Sequence, residues 1–219
     1  MPPVIMLGIS WGGEAVDRGN EPRVTLPWRL DSAGPRIVEP IAWEYPIVIF
    51  TDGACEDAGA SIGGIIFAQG MRPQTFGAML TKEATRKLAS KIGQTQIIGQ
   101  AELLPVLVAK YIWRSILANR RVIYFVDNDS ARLALVRGYS PVITSLGIIM
   151  RCAHQDALSR SSSWYARVPS KSNIGDGPSR MDASQVRALY GAEVVQPALE
   201  DQAVWFTDTL RAEWGVTDP

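Results

Sequence analysis

The chain has 219 residues, 47% of them hydrophobic and 20% charged, a profile that fits one globular domain with extensions and excludes a disordered chain. No apolar run approaches the roughly 20 residues needed to span a bilayer, and the opening MPPVIMLGISWGG lacks the basic lead of a secretory signal. Cys55 and Cys152 form neither a disulfide framework nor a metal-ligand pattern, so both are read as buried thiols in a reducing, intracellular (cytoplasmic or nuclear) compartment. Zero net charge speaks at first against a nucleic-acid partner, but six acids (Glu193, Glu200, Asp201, Asp208, Glu213, Asp218) and one base (Arg211) follow position 191, which leaves +5 on residues 1–191. A modestly basic body with an acidic tail holds a phosphate backbone weakly and in a salt-sensitive way.

In chain order, residues 1–45 are rich in Gly, Pro and isolated Trp without a sustained period. They read as an N-terminal extension or the remnant of an upstream domain. Residues 47–50 are an all-apolar run that fits a strand buried on both faces. Residues 60–68 and 75–80 follow as β-rich runs separated by the turn signal at 70–73, which suggests an antiparallel meander. Residues 97–118 form the longest helical stretch, apolar on most sides, with Pro105 tolerated in an early turn. A strand at 122–126, a short helix at 128–136 ended by Gly138, a helix at 142–158 and a last strand at 164–168 come next. After a loop at 169–173 there is a short helical start and a further helix at 183–190. Leu199, Ala203, Phe206, Leu210 and Trp214 then lie on one stripe of an acidic amphipathic helix within 192–219. The order is mixed α/β, with a principal domain over 46–191.

Four acids stand out by position. Asp52 follows the first strand (IVIFTDGA), Glu102 lies near the start of the central helix (GQAELLPVL), Asp127 ends the fourth strand (VIYFVDND), and Asp176 opens a helix after the last strand (VPSKSNIGDGPSR). An acid at a strand end is commonly a solvated cap, but strand ends and helix starts converge on one edge of an α/β sheet, so four such acids can share a site. Crowded carboxylates repel and are tolerable only with cations between them. Hard divalent ions suit oxygen ligands, and Mg²⁺ in particular takes carboxylates plus substrate phosphate. Two such ions about 4 Å apart clamp the attacking and leaving oxygens of a phosphodiester.

TDGA after a strand, a helical AEL, a strand-final VDN and an N-x-x-D after a Val-Pro-x-Lys loop together resemble the ribonuclease H family. The last segment, ARVPSKSNIGDGPSR, is similar to the ribonuclease H domains attached to retroelement reverse transcriptases. The resemblance spans residues 46–181, with the acids in the family's order at separations of 50, 25 and 49. It implies an α/β ribonuclease H-like fold, with a mixed five-stranded sheet of three antiparallel and then two parallel strands flanked by helices. It also implies endonucleolytic hydrolysis of the RNA strand of RNA–DNA hybrids. Asp52, Glu102, Asp127 and Asp176 would be the catalytic metal ligands, with two Mg²⁺ ions for which Mn²⁺ can substitute. The partners implied are an RNA–DNA hybrid and a reverse transcriptase polymerase domain, with no membrane.

Candidate nucleic-acid contacts are Gly53, Gln100, Asn128, Lys171, Asn173 and Arg180. Gln100 stands where the family often places an Asn that binds the minor groove. The family's loop histidine has no counterpart before Asp176, and the one histidine, His154, falls in a predicted helix and receives no catalytic role. Lys82, Arg86, Lys87 and Lys91 read either as a solvated loop or as phosphate contacts, as does Arg167. The Gly63-Gly64 pair signals a close backbone approach or a twisted strand. Two other readings stay open: a catalytically silent nucleic-acid-binding or scaffold module on the same fold, and a transposase- or integrase-type nuclease. The N-x-x-D loop speaks against the latter.

Overall fold

The computed structural model describes residues 45–56, 59–89 and 97–197. The predicted N-terminal extension (save Tyr45) and the apolar stripe from Leu199 to Trp214 lie outside them. The elements run β1 (Ile47–Glu56), β2 (Gly59–Phe67), β3 (Gln74–Met79), α1 (Lys82–Ala89), α2 (Ile98–Ile112), α3 (Arg114–Leu117), β4 (Arg121–Val126), α4 (Asp129–Arg137), α5 (Ile143–Ser159), β5 (Ser162–Arg167), α6 (Asp176–Ser179), α7 (Ser184–Tyr190) and β6 (Glu193–Val194). No helix among the described residues is long and apolar enough to cross a membrane.

The strands form one sheet in the order β5-β4-β1-β2-β3-β6. β1, β2 and β3 pair antiparallel, whereas β4 and β5 join parallel to the other side of β1. This is the expected arrangement, with one addition. The two-residue β6 pairs parallel with β3, inside the segment 192–219 that reads as helix from its pattern. Glu193 N–H donates to the Pro73 carbonyl and Val195 N–H to the Thr75 carbonyl, both at 2.8 Å. Part of the β3 edge is thereby covered, which a sheet edge otherwise leaves to solvent.

The central helix α2 is buried from Gln100 to Lys110 and packs with β1, β2 and α5 to build the main core. The continuous helix expected over 97–118 is broken at Trp113, between α2 and α3. Pro105 stands in the middle of α2 and not in its first turn. It has no N–H for the carbonyl four residues earlier, that of Ala101. Asn128 caps α4 by accepting from Ala131 N–H at 3.0 Å, and Gly138 ends it at φ 65°, the left-handed C-cap that glycine adopts without strain.

Lys82–Ala89 of the basic stretch is a helix, α1, and not a loop: Ala84 and Leu88 pack into the core while Lys82 and Arg86 face solvent, and Lys91 lies outside the described residues. β1 is not buried on both faces either. Ile47 and Ile49 are covered by the helices, but Val48 and Phe50 on the opposite face are half-buried. There a smaller cluster of Ile65, Val186 and Ala192, flanked by Phe50 and Phe67, is covered from α7.

One end of α2 is tied to the sheet by a buried charge. The Lys110 ammonium pairs with Asp156 of α5, donates to Ser163 Oγ at 2.7 Å, and sits 4.4 Å from the Tyr124 ring centre. Ser161 and Ser163 hydroxyls also donate to Asp156 Oδ1, each at 2.8 Å. This network satisfies a side chain that is otherwise costly to bury.

Candidate metal centre

Asp52 does not follow the first strand; it lies within it. β1 runs on to Glu56, and Asp52 pairs opposite Gly63 of β2, which in turn pairs opposite Gly77 of β3. The two glycines give the sheet a bare patch beside the Asp52 carboxylate. A Cβ on Gly63 would lie 2.2 Å from Ser179 N, and one on Gly77 would lie 2.3 Å from Pro178 O. The short turn α6 therefore settles on the sheet where no side chain stands. That contact brings Ser179 and Asp176 to Asp52 from more than a hundred residues away.

On the other side of β1, alternation points Gly53 toward α2. A Cβ there would lie 2.1 Å from the Ala101 carbonyl oxygen, the same carbonyl that Pro105 leaves without its usual donor. Strand and helix backbones can then approach closely enough for Gly53 N–H to hydrogen-bond the Glu102 carboxylate. Gly53 is thus a packing and positioning residue, buried beneath α2, and is not displayed to a duplex as the sequence suggests.

Asp52, Glu102 and Asp127 each offer one oxygen, and these atoms lie within 4.8 Å of one another. Asp52 is held on both oxygens: Ser179 Oγ donates to Oδ2, and Asn173 Nδ2 donates to Oδ1 at 3.3 Å and to the Thr51 carbonyl at 3.1 Å. Asn173 Oδ1 in turn accepts from Gly175 N–H at 3.1 Å. In contrast, Glu102 Oε2 and Asp127 Oδ1 are buried with no hydrogen-bond partner. Buried carboxylate oxygens that face other carboxylates without a donor are what a cation site offers in its ion-free form. The donor set fits a hard divalent ion.

The electrostatics agree. Burial, then the neighbouring charges of Asp52 and Asp127, push Glu102 up from 4.5 to about 9, against the Gly53 hydrogen bond. Burial likewise raises Asp52 from 3.8 to about 6; the Ser179 hydrogen bond opposes the rise, and Asp127 and Asp176 add to it.

Asp176 stands apart. Its charge reaches Asp52 and Glu102, but it is outside the three-acid group, and its Oδ1 accepts from Arg180 Nε at 3.0 Å. Arg180 also pairs with Glu56, at the end of β1. The structure therefore brings three of the four expected acids into one cluster and places the fourth at its border.

Three antiparallel strands, two parallel ones, and an acid on each of β1, α2 and the end of β4 complete the arrangement that the motifs imply. The fold is ribonuclease H-like. No protein-family model and no curated protein matches the chain. Among solved structures, it is similar to ribonuclease H1 from the halophilic archaeon Halobacterium salinarum NRC-1, at 12% identity and a TM-score of 0.47, covering 64% of this chain and 99% of that one. LC11-RNase H1, isolated from compost by a metagenomic approach, is 16% identical at a TM-score of 0.48, covering 64% and 97%. The same LC11 enzyme in complex with an RNA/DNA hybrid is 15% identical at a TM-score of 0.44, covering 64% and 98%.

Of the expected nucleic-acid contacts around this acidic cluster, the structure turns several inward. Gln100 is buried, with its amide 3.4 Å from Thr144 Oγ1. Asn173 spends its side chain on Asp52, and Arg180 on two carboxylates. Asn128 caps α4 with its oxygen. Lys171 is exposed on a 3-10 turn, Ser170–Ser172, at the rim. Arg167 ion-pairs with Asp129 at 3.1 Å. Cys152 is buried as expected, but Cys55 is exposed, because β1 runs past the edge of the core. His154 lies on α5. Ser179 escapes sequence reading altogether. Its signal is the Ser of the Ser-Arg pair that closes the last motif, next to the Arg180 that does attract notice.

Proposed function

We propose that this chain hydrolyses the RNA strand of RNA–DNA hybrids, with Asp52, Glu102 and Asp127 as the primary cation ligands and Asp176 as a fourth carboxylate. The observation that carries this reading is the buried three-acid cluster in which Glu102 Oε2 and Asp127 Oδ1 have no protein donor. Divalent cations bound there, Mg²⁺ with Mn²⁺ able to replace it, would polarise the scissile phosphodiester and make water a nucleophile at neutral pH.

The protein's own part is positioning. Ser179 and Asn173 fix both Asp52 oxygens, so the carboxylate keeps one orientation. Gly53 N–H holds the Glu102 carboxylate, whose Oε2 is left without a protein donor. The Asn128 cap sets where α4 begins, two residues beyond Asp127. Lys171, exposed two residues before the Asn173 that holds Asp52, would meet a phosphate, and the 2′-hydroxyl is the group by which such a site selects RNA. With no histidine in the loop before Asp176, proton transfer to the leaving oxygen falls to solvent or to Lys171. The likeness of residues 166–180 to reverse transcriptase-linked domains supports a place beside a polymerase domain in a retroelement protein.

The test is incubation of the full chain with labelled RNA–DNA hybrid, duplex RNA and duplex DNA, with and without Mg²⁺ or Mn²⁺. Cation-dependent cleavage of the hybrid's RNA strand is expected, lost in Asp52→Asn. No cleavage with either ion, or equal cleavage of duplex DNA, overturns the reading.

A further inference from the structure

We propose that Arg180 is a positioning residue that latches Asp176 outside the cation cluster, so that a first divalent ion binds to Asp52, Glu102 and Asp127 alone and a second is admitted only when Arg180 lets Asp176 go. The inference rests on the proposed function and concerns how that site fills. One guanidinium spans two carboxylates: its Nε meets Asp176 Oδ1 at 3.0 Å, one turn earlier in the chain, while its Nη1 meets Glu56 Oε1. Glu56 shares a face of β1 with Asp52, four residues on, so the anchor is part of the sheet that carries the cluster. The planar fork of arginine can hold two carboxylates at once; a lysine ammonium is a point charge on a flexible stem.

Two consequences follow from the geometry. The Asp176 oxygen committed to Arg180 is not offered to a cation, and the guanidinium beside it offsets part of the charge that would draw in a second ion. The latch is also weak enough to open. Asp176, Arg180 and Glu56 side chains are 50%, 51% and 56% exposed, and pairs so solvated contribute little individually. A phosphodiester oxygen arriving at the cluster is an anion of the kind that arginine prefers, so it competes for Arg180 and frees Asp176. Substrate and second cation would then load together, and the ion-free enzyme would be protected from filling both positions idly.

Titration of the full chain with Mn²⁺, followed by calorimetry and by the paramagnetic signal of the free ion, tests this without any catalytic readout. The wild type should show one tight and one weak equivalent. Arg180→Lys keeps the charge but loses the fork, and should tighten the second equivalent by up to about fivefold, the upper end for a solvated ion pair, with the first unchanged. Arg180→Gln removes the charge as well and should tighten both. Thermal melts of the two variants check that the fold is kept. A second equivalent in Arg180→Lys indistinguishable from wild type, or two equal equivalents in the wild type, overturns the latch and leaves the proposed function standing. Absence of Mn²⁺ binding in every variant overturns both.

Discussion

Replacing Glu102 by Gln should stabilise the ion-free protein while removing the proposed cleavage. Glu102 is held up to about 9 in the fold, against 4.5 for the ordinary side chain. Below pH 4.5 the folded and unfolded chains both carry the proton, and the site costs nothing. As pH rises, the unfolded chain releases the proton while the folded one retains it until about pH 9, so stability falls through that window by about 1.4 kcal/mol per pH unit. At pH 7 the accumulated cost is about 3 kcal/mol. Gln is neutral throughout and avoids it. For a chain of this size such a gain raises the melting temperature by about 6–12 °C. Melts of both proteins in chelator from pH 5 to pH 8 measure it: the wild-type melting temperature should fall with pH and the variant's should fall less. Mn²⁺ should stabilise the wild type more than the variant, because the variant lacks a ligand. If Glu102→Gln melts at or below the wild type at pH 7, with the same pH slope, then Glu102 is not the buried carboxyl crowded by Asp52 and Asp127 that the structure places there.

Other changes probe the scaffold and the chemistry. Asp127→Asn should abolish hybrid cleavage in a gel assay while the fold survives, since it removes one member of a repulsive set. Asn173→Ala leaves Asp52 held from one side only; a loss of about 10- to 100-fold in cation affinity or turnover is expected, as for other partners that orient ligands, and calorimetry with Mn²⁺ reads it. Gly53→Ala places a methyl 2.1 Å from the Ala101 carbonyl, where only backbone can yield. Denaturant titration should show a loss of about 1–3 kcal/mol or more, together with weaker Mn²⁺ binding. Lys110→Ala strands Asp156 and should cost about 3–5 kcal/mol without altering cation affinity per folded molecule.

Much of this site could be read in the chain itself. Asp127 at the end of β4, the helical Glu102 and a last loop ending in Asp176 are legible because each depends on local pattern, such as an apolar run or the terminating Gly138; that Asp52 lies inside β1 is not, since the strand runs on past its apolar run to Glu56. The sheet order followed from the same motifs. What required tertiary structure was the assignment of side chains to partners. Asn173, Gln100, Arg180 and Gly53 are residue types that bind nucleic acid elsewhere, and nothing in their spacing tells that Asn173 and Arg180 are spent on carboxylates, Gln100 on Thr144, and Gly53 on the approach of α2. Ser179 has no sequence signal as a partner of Asp52, since 127 positions separate them. The link between them is made by Gly63 and Gly77, two glycines that register beside Asp52 only once three strands have paired. Composition and period determine which elements form and which faces are buried. Long-range pairing alone decides which polar atoms are satisfied, and so which are left, at Glu102 and Asp127, without a protein donor.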